Sequence, residues 1–528
     1  MSAPNLMKPA PERRLVPLWA VFLAIFFAVV LAHWPLLRLP YYWDEAGYYI
    51  PAAYDFFRSG SLIPFSTLSN AHPPVPSIYL AGVWKIFGFS PLVTRVAMSL
   101  VASLTLTATW ELALLTTGRQ SIAVASVALT AIYPVFFAQS SLAHADLFSA
   151  AATLWAIVFL LKAESRLWLV VVCFSLAALS KETAIVTPLA LAIWEAWLGI
   201  RSRAPKHFVR AALLCLPVLP LALWYLYHWH RTGFFFGNPE YLRYNATATL
   251  TPLRVLVAFA HRVLHITAHM NLFVPVLLMF ACMLLPPLKE EDGTVRPRIA
   301  PEDQALFYVV ILANLIFFSI LGGALLTRYL LPLYPLVILL CVNTFRRRFR
   351  QWPALVALSA AGFVAGLFVN PPYRFAPEDN LAYRDVIRLH QSAIAQILEH
   401  YPHSIVLTAW PVTDELSKPE LGYVEQPIPV AAIDNFSFSQ IQKAAQLTQP
   451  YTAGLIFSTK YDPPHLPFSL GRRNEALDTR FFDFHHDLAP GTIARLLDGV
   501  VTWQEQRKGQ WAAVLHFDRP QEAKLLYR

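Results

Sequence analysis

Apolar residues in the first 370 positions gather into long blocks separated by short polar stretches. They show neither the alternation of a half-buried strand nor the one-sided stripe of a surface helix. Eleven blocks stand out, at about 15–37, 93–117, 121–139, 144–161, 166–180, 183–199, 207–228, 270–287, 304–323, 329–345 and 353–369. Most approach the ~20 residues that carry a helix across a bilayer. The pattern predicts an all-α polytopic membrane bundle with about eleven transmembrane helices over residues 1–370. Two long connections interrupt it. The first, 38–92, sets prolines among aromatic residues and reads as interfacial helices. The second, 229–269, rich in Tyr, Phe, Trp and His, also reads as interfacial outer-loop helices, and the segment 288–303 reads as a plain charged connector.

From 371 onward the pattern changes in kind. Residues 380–401 read as an amphipathic helix, 404–410 and 453–458 as short buried strands, and 503–517 as a hairpin turning near Lys508-Gly509. This predicts a small C-terminal α/β domain over 371–528.

Composition supports a membrane protein: 56% of the 528 residues are hydrophobic and only 14% charged, against ~25% charged in soluble chains. The net charge of +9 does not point to nucleic acid. Up to residue 370 there are 27 Lys/Arg against 15 Asp/Glu, and beyond it 15 against 18. The basic excess therefore belongs to the apolar part, where short basic loops set orientation. With the N-terminus inside, the cytoplasmic loops hold Lys8, Arg13 and Arg14, then Arg119, Lys162 and Arg166, then Arg201 to Arg210, and finally the run Arg346 to Arg350. An odd number of spans leaves the C-terminal domain outside, as in a multi-pass protein of a bacterial inner membrane with a periplasmic or extracellular tail. The first span, with no small-residue cleavage site after it, reads as a signal anchor. Cys173, Cys215, Cys282 and Cys341 lie inside apolar runs and show no disulfide or metal spacing.

Carboxylates are costly near a bilayer, so each merits an account. Six fall on the outer side: Asp44, Glu45, Asp55, Asp146, Glu182 and Glu240. Asp44-Glu45 closes an aromatic run just after the first span. It reads either as a general base for a hydroxyl acceptor or as the polar start of an interfacial helix. Asp146 opens the fourth span, where it is either an N-cap or part of a site. Lys181-Glu182 is a snorkelling pair or a cation aimed at phosphate. His72-Pro73-Pro74 is an ordinary Pro-rich turn or a rigid phosphate donor. Arg328-Tyr329, before Leu330-Leu331-Pro332, is a flanking anchor or a phosphate ligand, and Arg243 is a further cation on this face. Fixed cations stabilise a leaving phosphate as its charge grows. Asn245-Ala246-Thr247 and Asn435-Phe436-Ser437 match the N-glycosylation pattern. No Walker loop, GxGxxG or HExxH is present.

Taken in order, Asp44-Glu45, His72-Pro73-Pro74, Asp146, Lys181-Glu182 and Arg328-Tyr329-Leu330-Leu331-Pro332 resemble the GT-C superfamily. The chain is most similar to glycosyltransferase family 39 and its bacterial relatives, the protein O-mannosyltransferases and lipid A aminoarabinose transferases. The resemblance covers about residues 15–345. It implies an inverting enzyme that transfers mannose, aminoarabinose or a similar sugar from a polyprenyl-phosphate carrier to a protein, lipid or glycan acceptor outside the cytoplasm. Asp44 would be the general base, with Glu45 and Asp146 as further catalytic residues. His72, Lys181, Glu182, Arg243, Arg328 and Tyr329 would bind substrate. No metal ligand is assigned, and a divalent cation is left open. Two departures bear on the donor and on a lipid A acceptor: His144 stands where many relatives carry Arg, and His72 where aminoarabinose transferases carry Lys. Three rival readings are a transporter or flippase for lipid-linked sugars, which would show midplane charges and repeated halves, a membrane-anchored structural protein whose work is done by 371–528, and a glycan polymerase or ligase of the same superfamily.

Overall fold

Each apolar block becomes helix, although several are broken or shorter than the sequence suggests. A computed structural model describes residues 16–162, 166–239, 242–243, 246, 249–321, 323–447, 450–461, 471–482 and 484–517. Among these, six helices are long and apolar enough to cross a membrane: Leu18–Leu36, Pro91–Thr117, Ala145–Lys162, Glu182–Ser202, Pro205–Thr232 and Pro301–Ile320. The pair Pro252–Asn271 and Phe273–Met283 would add a seventh but bends by 100°. The block at 121–139 breaks at Tyr133, where Pro134 opens a new helix, because the proline ring cannot continue the hydrogen-bond ladder. Lys8, Arg13, Arg14, Glu240 and most of the Asn245-Ala246-Thr247 tripeptide lie outside the described residues.

The helix Pro91–Thr117 shows how a span rich in Ser and Thr stays buried. Ser90 caps its start, the hydroxyl accepting from the Val93 N–H at 3.3 Å. The hydroxyls of Ser99, Ser103, Thr105, Thr107 and Thr109 each donate to the carbonyl four residues back. The helix thus satisfies its own side chains without water. Gly118, at φ 68°, ends it in the left-handed conformation that suits glycine.

Segment 288–303 is not the plain connector expected. Lys289 pairs with Val295 in a short antiparallel bridge. Glu290 gathers Arg346 at 2.8 Å, Arg119 at 3.4 Å and Arg296 at 3.6 Å. Partial burial opposes ionisation of Glu290, but the Arg346 hydrogen bond and the three guanidinium charges hold its carboxyl below the usual range. One acid among many arginines gives this loop a fixed shape that the charge pattern alone does not reveal.

Contacts divide the chain into two units, Met1–Pro35 with Ala52–Leu367, and Leu36–Pro51 with Phe368–Arg528. The break at 367/368 falls close to the expected 370/371. The segment Leu36–Pro51, expected with the membrane helices, clusters instead with the tail.

The second unit holds a five-stranded sheet of order β2-β1-β3-β5-β4, with β1 Val406–Ala409, β2 Val430–Ile433, β3 Ala453–Phe457, β4 Gly499–Arg507 and β5 Gln510–Phe517. Strands β2, β1 and β3 run parallel, and β5 pairs antiparallel with β3 and β4. The β4–β5 hairpin turns at Lys508 and Gly509, with φ 45° and 85°, the two left-handed residues that a tight hairpin turn requires. The helix Ala382–His400 lays Leu389, Ala393, Ile394 and Ile397 into a core shared with the sheet. This is the amphipathic helix expected at 380–401.

Candidate functional site

Three charged residues expected on the outer face meet in the first unit. Asp146 lies in the first turn of Ala145–Lys162. Lys181 occupies the break between Leu167–Ser180 and the turn Glu182–Ile185, its backbone N–H capping Ala177. Arg328 lies in the tight turn Thr327–Leu330. The Lys181 ammonium donates to Oδ1 of Asp146, and Nε of Arg328 stands 3.2 Å from Oδ2. All three are nearly sealed, with exposures of 5%, 3% and 2% for Lys181, Asp146 and Arg328. Burying such ions costs several kcal/mol each, so a chain that retains them in an apolar bundle has a use for them.

Tyr329 organises the cations further. The Lys181 ammonium lies 3.6 Å from its ring centroid, with the guanidiniums of Arg262 at 5.6 Å and Arg328 at 5.9 Å. Arg262 is fully buried on the helix Pro252–Thr267 and donates to the carbonyls of Leu326, at 2.7 Å, and Phe318, at 3.3 Å. His144 is also buried, with Nδ1 2.7 Å from Gln139 Oε1 and 3.4 Å from Nη1 of Arg328. Arg95, equally buried, donates to the Ser141 carbonyl at 2.9 Å. Lys181 and Arg328 share the carboxylate of Asp146, and a small cleft beside them is lined by Ser149, Thr153, Asn314 and Tyr329. Such a site favours an anion.

His72 and Glu182 pair separately at 3.1 Å, both partly buried. Arg243 is exposed, and it is Arg262, not Arg243, that stacks over Tyr329. The sequence reading missed Arg262 and Arg95. The signal for Arg262 was the amphipathic run 252–267, whose buried face carries Arg254, Ala258, Arg262 and Ile266, inside a segment expected as interfacial outer-loop helices.

Asp44 and Glu45 belong to the second unit, and the structure gives them different work. Glu45 is fully buried. Its Oε2 accepts the Tyr42 N–H at 2.9 Å, while its own N–H donates to the Tyr42 carbonyl at 2.9 Å. Glu45 is thus used in closing its own turn, and Asp44 is only half-buried. The turn that follows, Glu45–Tyr49, is π-helical, a winding often found at functional sites. Trp43, directly before Asp44, has φ 47°, a costly conformation for a bulky residue. Among the described residues no three His, Cys, Asp or Glu side chains converge as a metal site would require.

Residues 71–224 match the model of the dolichyl-phosphate-mannose-protein mannosyltransferase family. No curated protein sequence matches the chain. Among solved structures, the chain is similar to ArnT from Cupriavidus metallidurans bound to undecaprenyl phosphate, at TM-score 0.53 and 16% identity, covering 94% of this chain and 98% of that one. The apo form of the same protein matches at TM-score 0.52 and 14% identity, with coverage of 94% and 98%. The protein O-mannosyltransferase Pmt1–Pmt2 complex of S. cerevisiae, bound to its sugar donor, gives TM-score 0.33 and 16% identity over 45% of this chain and 37% of that one.

Proposed function

We propose that this chain is a membrane glycosyltransferase of the GT-C kind, a reading supported by the family match over 71–224 and by the fold shared with ArnT. It moves a sugar from a polyprenyl-phosphate carrier to a hydroxyl acceptor on the extracytoplasmic face of a bacterial inner membrane. One observation carries the reading: the sealed cluster in which Lys181 and Arg328 converge on Asp146. The bond from the sugar's anomeric carbon to the carrier phosphate breaks, and that phosphate gains charge as it leaves. Lys181 and Arg328 stabilise this charge in a dry site, where fixed cations act most strongly. The undecaprenyl phosphate bound to the similar ArnT supports the same class of donor.

Asp146 acts here as the counter-charge that aims both cations, and Tyr329 holds the Lys181 ammonium over its ring. His72, Glu182 and Arg243 complete the donor side. Asp44 takes the proton of the acceptor hydroxyl as that oxygen bonds to the anomeric carbon, which gives inversion in a single displacement. The N-terminus lies in the cytoplasm and the C-terminal domain outside. Mannose and aminoarabinose are the first sugars to test.

The decisive experiment incubates purified protein in nanodiscs with undecaprenyl-phosphate mannose, undecaprenyl-phosphate aminoarabinose and a cell-envelope extract as acceptor. Released undecaprenyl phosphate is the readout. Release that disappears in Lys181→Met and Arg328→Met supports the reading. Release that persists in both overturns it.

A further inference from the structure

We propose that Trp410 is a positioning residue for Asp44, so that a side chain of the C-terminal domain sets the candidate base. The inference rests on Asp44 as the general base. Trp410 follows β1, and its indole meets Trp43 edge to face, with centroids 5.1 Å apart at 75°. The same indole covers Gly47, where an added Cβ would lie 2.6 Å from Cζ2 of Trp410. One side chain of the tail thus braces the residue just before Asp44 and the residue three after it.

The backbone around the pair is tied to the tail as well. The Tyr41 N–H donates to the Leu421 carbonyl at 3.3 Å, and the Tyr423 hydroxyl donates to the Tyr41 carbonyl at 3.0 Å. The Tyr42 ring lies 5.9 Å from that of Tyr383. A tryptophan at φ 47° persists only where its surroundings over-determine it, and Trp410 supplies part of that constraint. Trp410 itself remains 36% exposed, so it is not simply filling the core of the sheet. A general base must be held within hydrogen-bond reach of its proton, and a π-helical turn left to itself would not hold Asp44 so closely.

The test uses full-length protein in nanodiscs with the variants Trp410→Ala, Trp410→Phe, Gly47→Ala and the double variant Gly47→Ala/Trp410→Phe. Turnover is read as undecaprenyl phosphate released from whichever of the two undecaprenyl-phosphate sugars is active, and binding is read with undecaprenyl phosphate alone. Hydrogen exchange is followed at the amides of 44–49. Trp410→Ala and Gly47→Ala should lower kcat at least about tenfold with undecaprenyl phosphate affinity unchanged. Trp410→Ala should speed exchange in 44–49. Trp410→Phe should keep most activity, and the double variant should recover activity lost in Gly47→Ala, because the smaller ring makes room for the methyl group. Wild-type kcat and exchange in Trp410→Ala would overturn the proposal, as would a Gly47→Ala loss that the double variant does not recover. If Trp410→Ala does not fold, the Gly47→Ala pair decides. An Asp44→Asn control with normal turnover would defeat the reading of Asp44 itself, while the exchange data would still report whether Trp410 holds the turn.

Discussion

Nε of Arg328 lies 3.2 Å from Oδ2 of Asp146, although 182 positions separate the two residues. Asp146 also receives Lys181, so one carboxylate orders two cations. Asp146→Asn should therefore damage more than the aspartate's own contacts. It removes the carboxylate that Lys181 and Arg328 share, and breaking a buried pair costs about 3–5 kcal/mol. The melting temperature should fall clearly. An Asp146→Asn protein as stable as wild type would show that the cluster is better solvated than its burial implies.

Lys181→Met and Arg328→Met test the donor side separately. Each removes a charged donor worth about 1.5–3 kcal/mol to the group it binds. Affinity for undecaprenyl phosphate, measured by titration in nanodiscs, should fall roughly tenfold or more in each variant. Unchanged affinity in both would remove these residues from the donor site.

The division of labour between Asp44 and Glu45 predicts unequal variants. Asp44→Asn keeps shape and loses the proton acceptor, so turnover should fall at least about 10²-fold with donor binding intact. Glu45→Gln retains an oxygen for the Tyr42 N–H and should cost less. A dead Glu45→Gln beside an active Asp44→Asn would exchange their roles.

The basic loops predict orientation. A reporter active only outside the cytoplasm, fused after Arg528, should be active, and one fused within the 288–303 hairpin should be silent. A cytoplasmic signal at the C-terminus would mean that the number of spans is even.

Much of this architecture was legible in the chain because hydrophobic length and charged-residue order survive folding directly. The apolar blocks gave the helices. Asp146, Lys181 and Arg328, picked out as charges at the ends of apolar runs, do come together. Strand β2 escaped notice because its sequence, Val-Ala-Ala-Ile, is short and half alanine, with weak strand preference. Arg262 escaped because its helix was expected only as an interfacial outer-loop element, and the sequence does not report that the face bearing Arg262 is buried. The attachment of Leu36–Pro51 to the tail had no local signal at all. It depends on contacts between Tyr41 and Leu421 and between Trp43 and Trp410, and no periodicity reports partners so far apart in sequence.

That attachment also sets a schedule for biosynthesis. Residues 36–51 leave the ribosome near the beginning, while their partners Tyr383, Trp410, Leu421 and Tyr423 come from the region beyond 368. At ~5–20 residues per second, translation of the intervening chain takes on the order of half a minute. During that interval the stretch bearing Asp44 waits without the strands and helices it joins. The nascent chain can insert its early helices in order, but the aspartate gains its final setting only once the region holding Tyr383, Trp410, Leu421 and Tyr423 has been made. A translation product truncated before that region would thus carry the membrane helices with Asp44 outside its final setting.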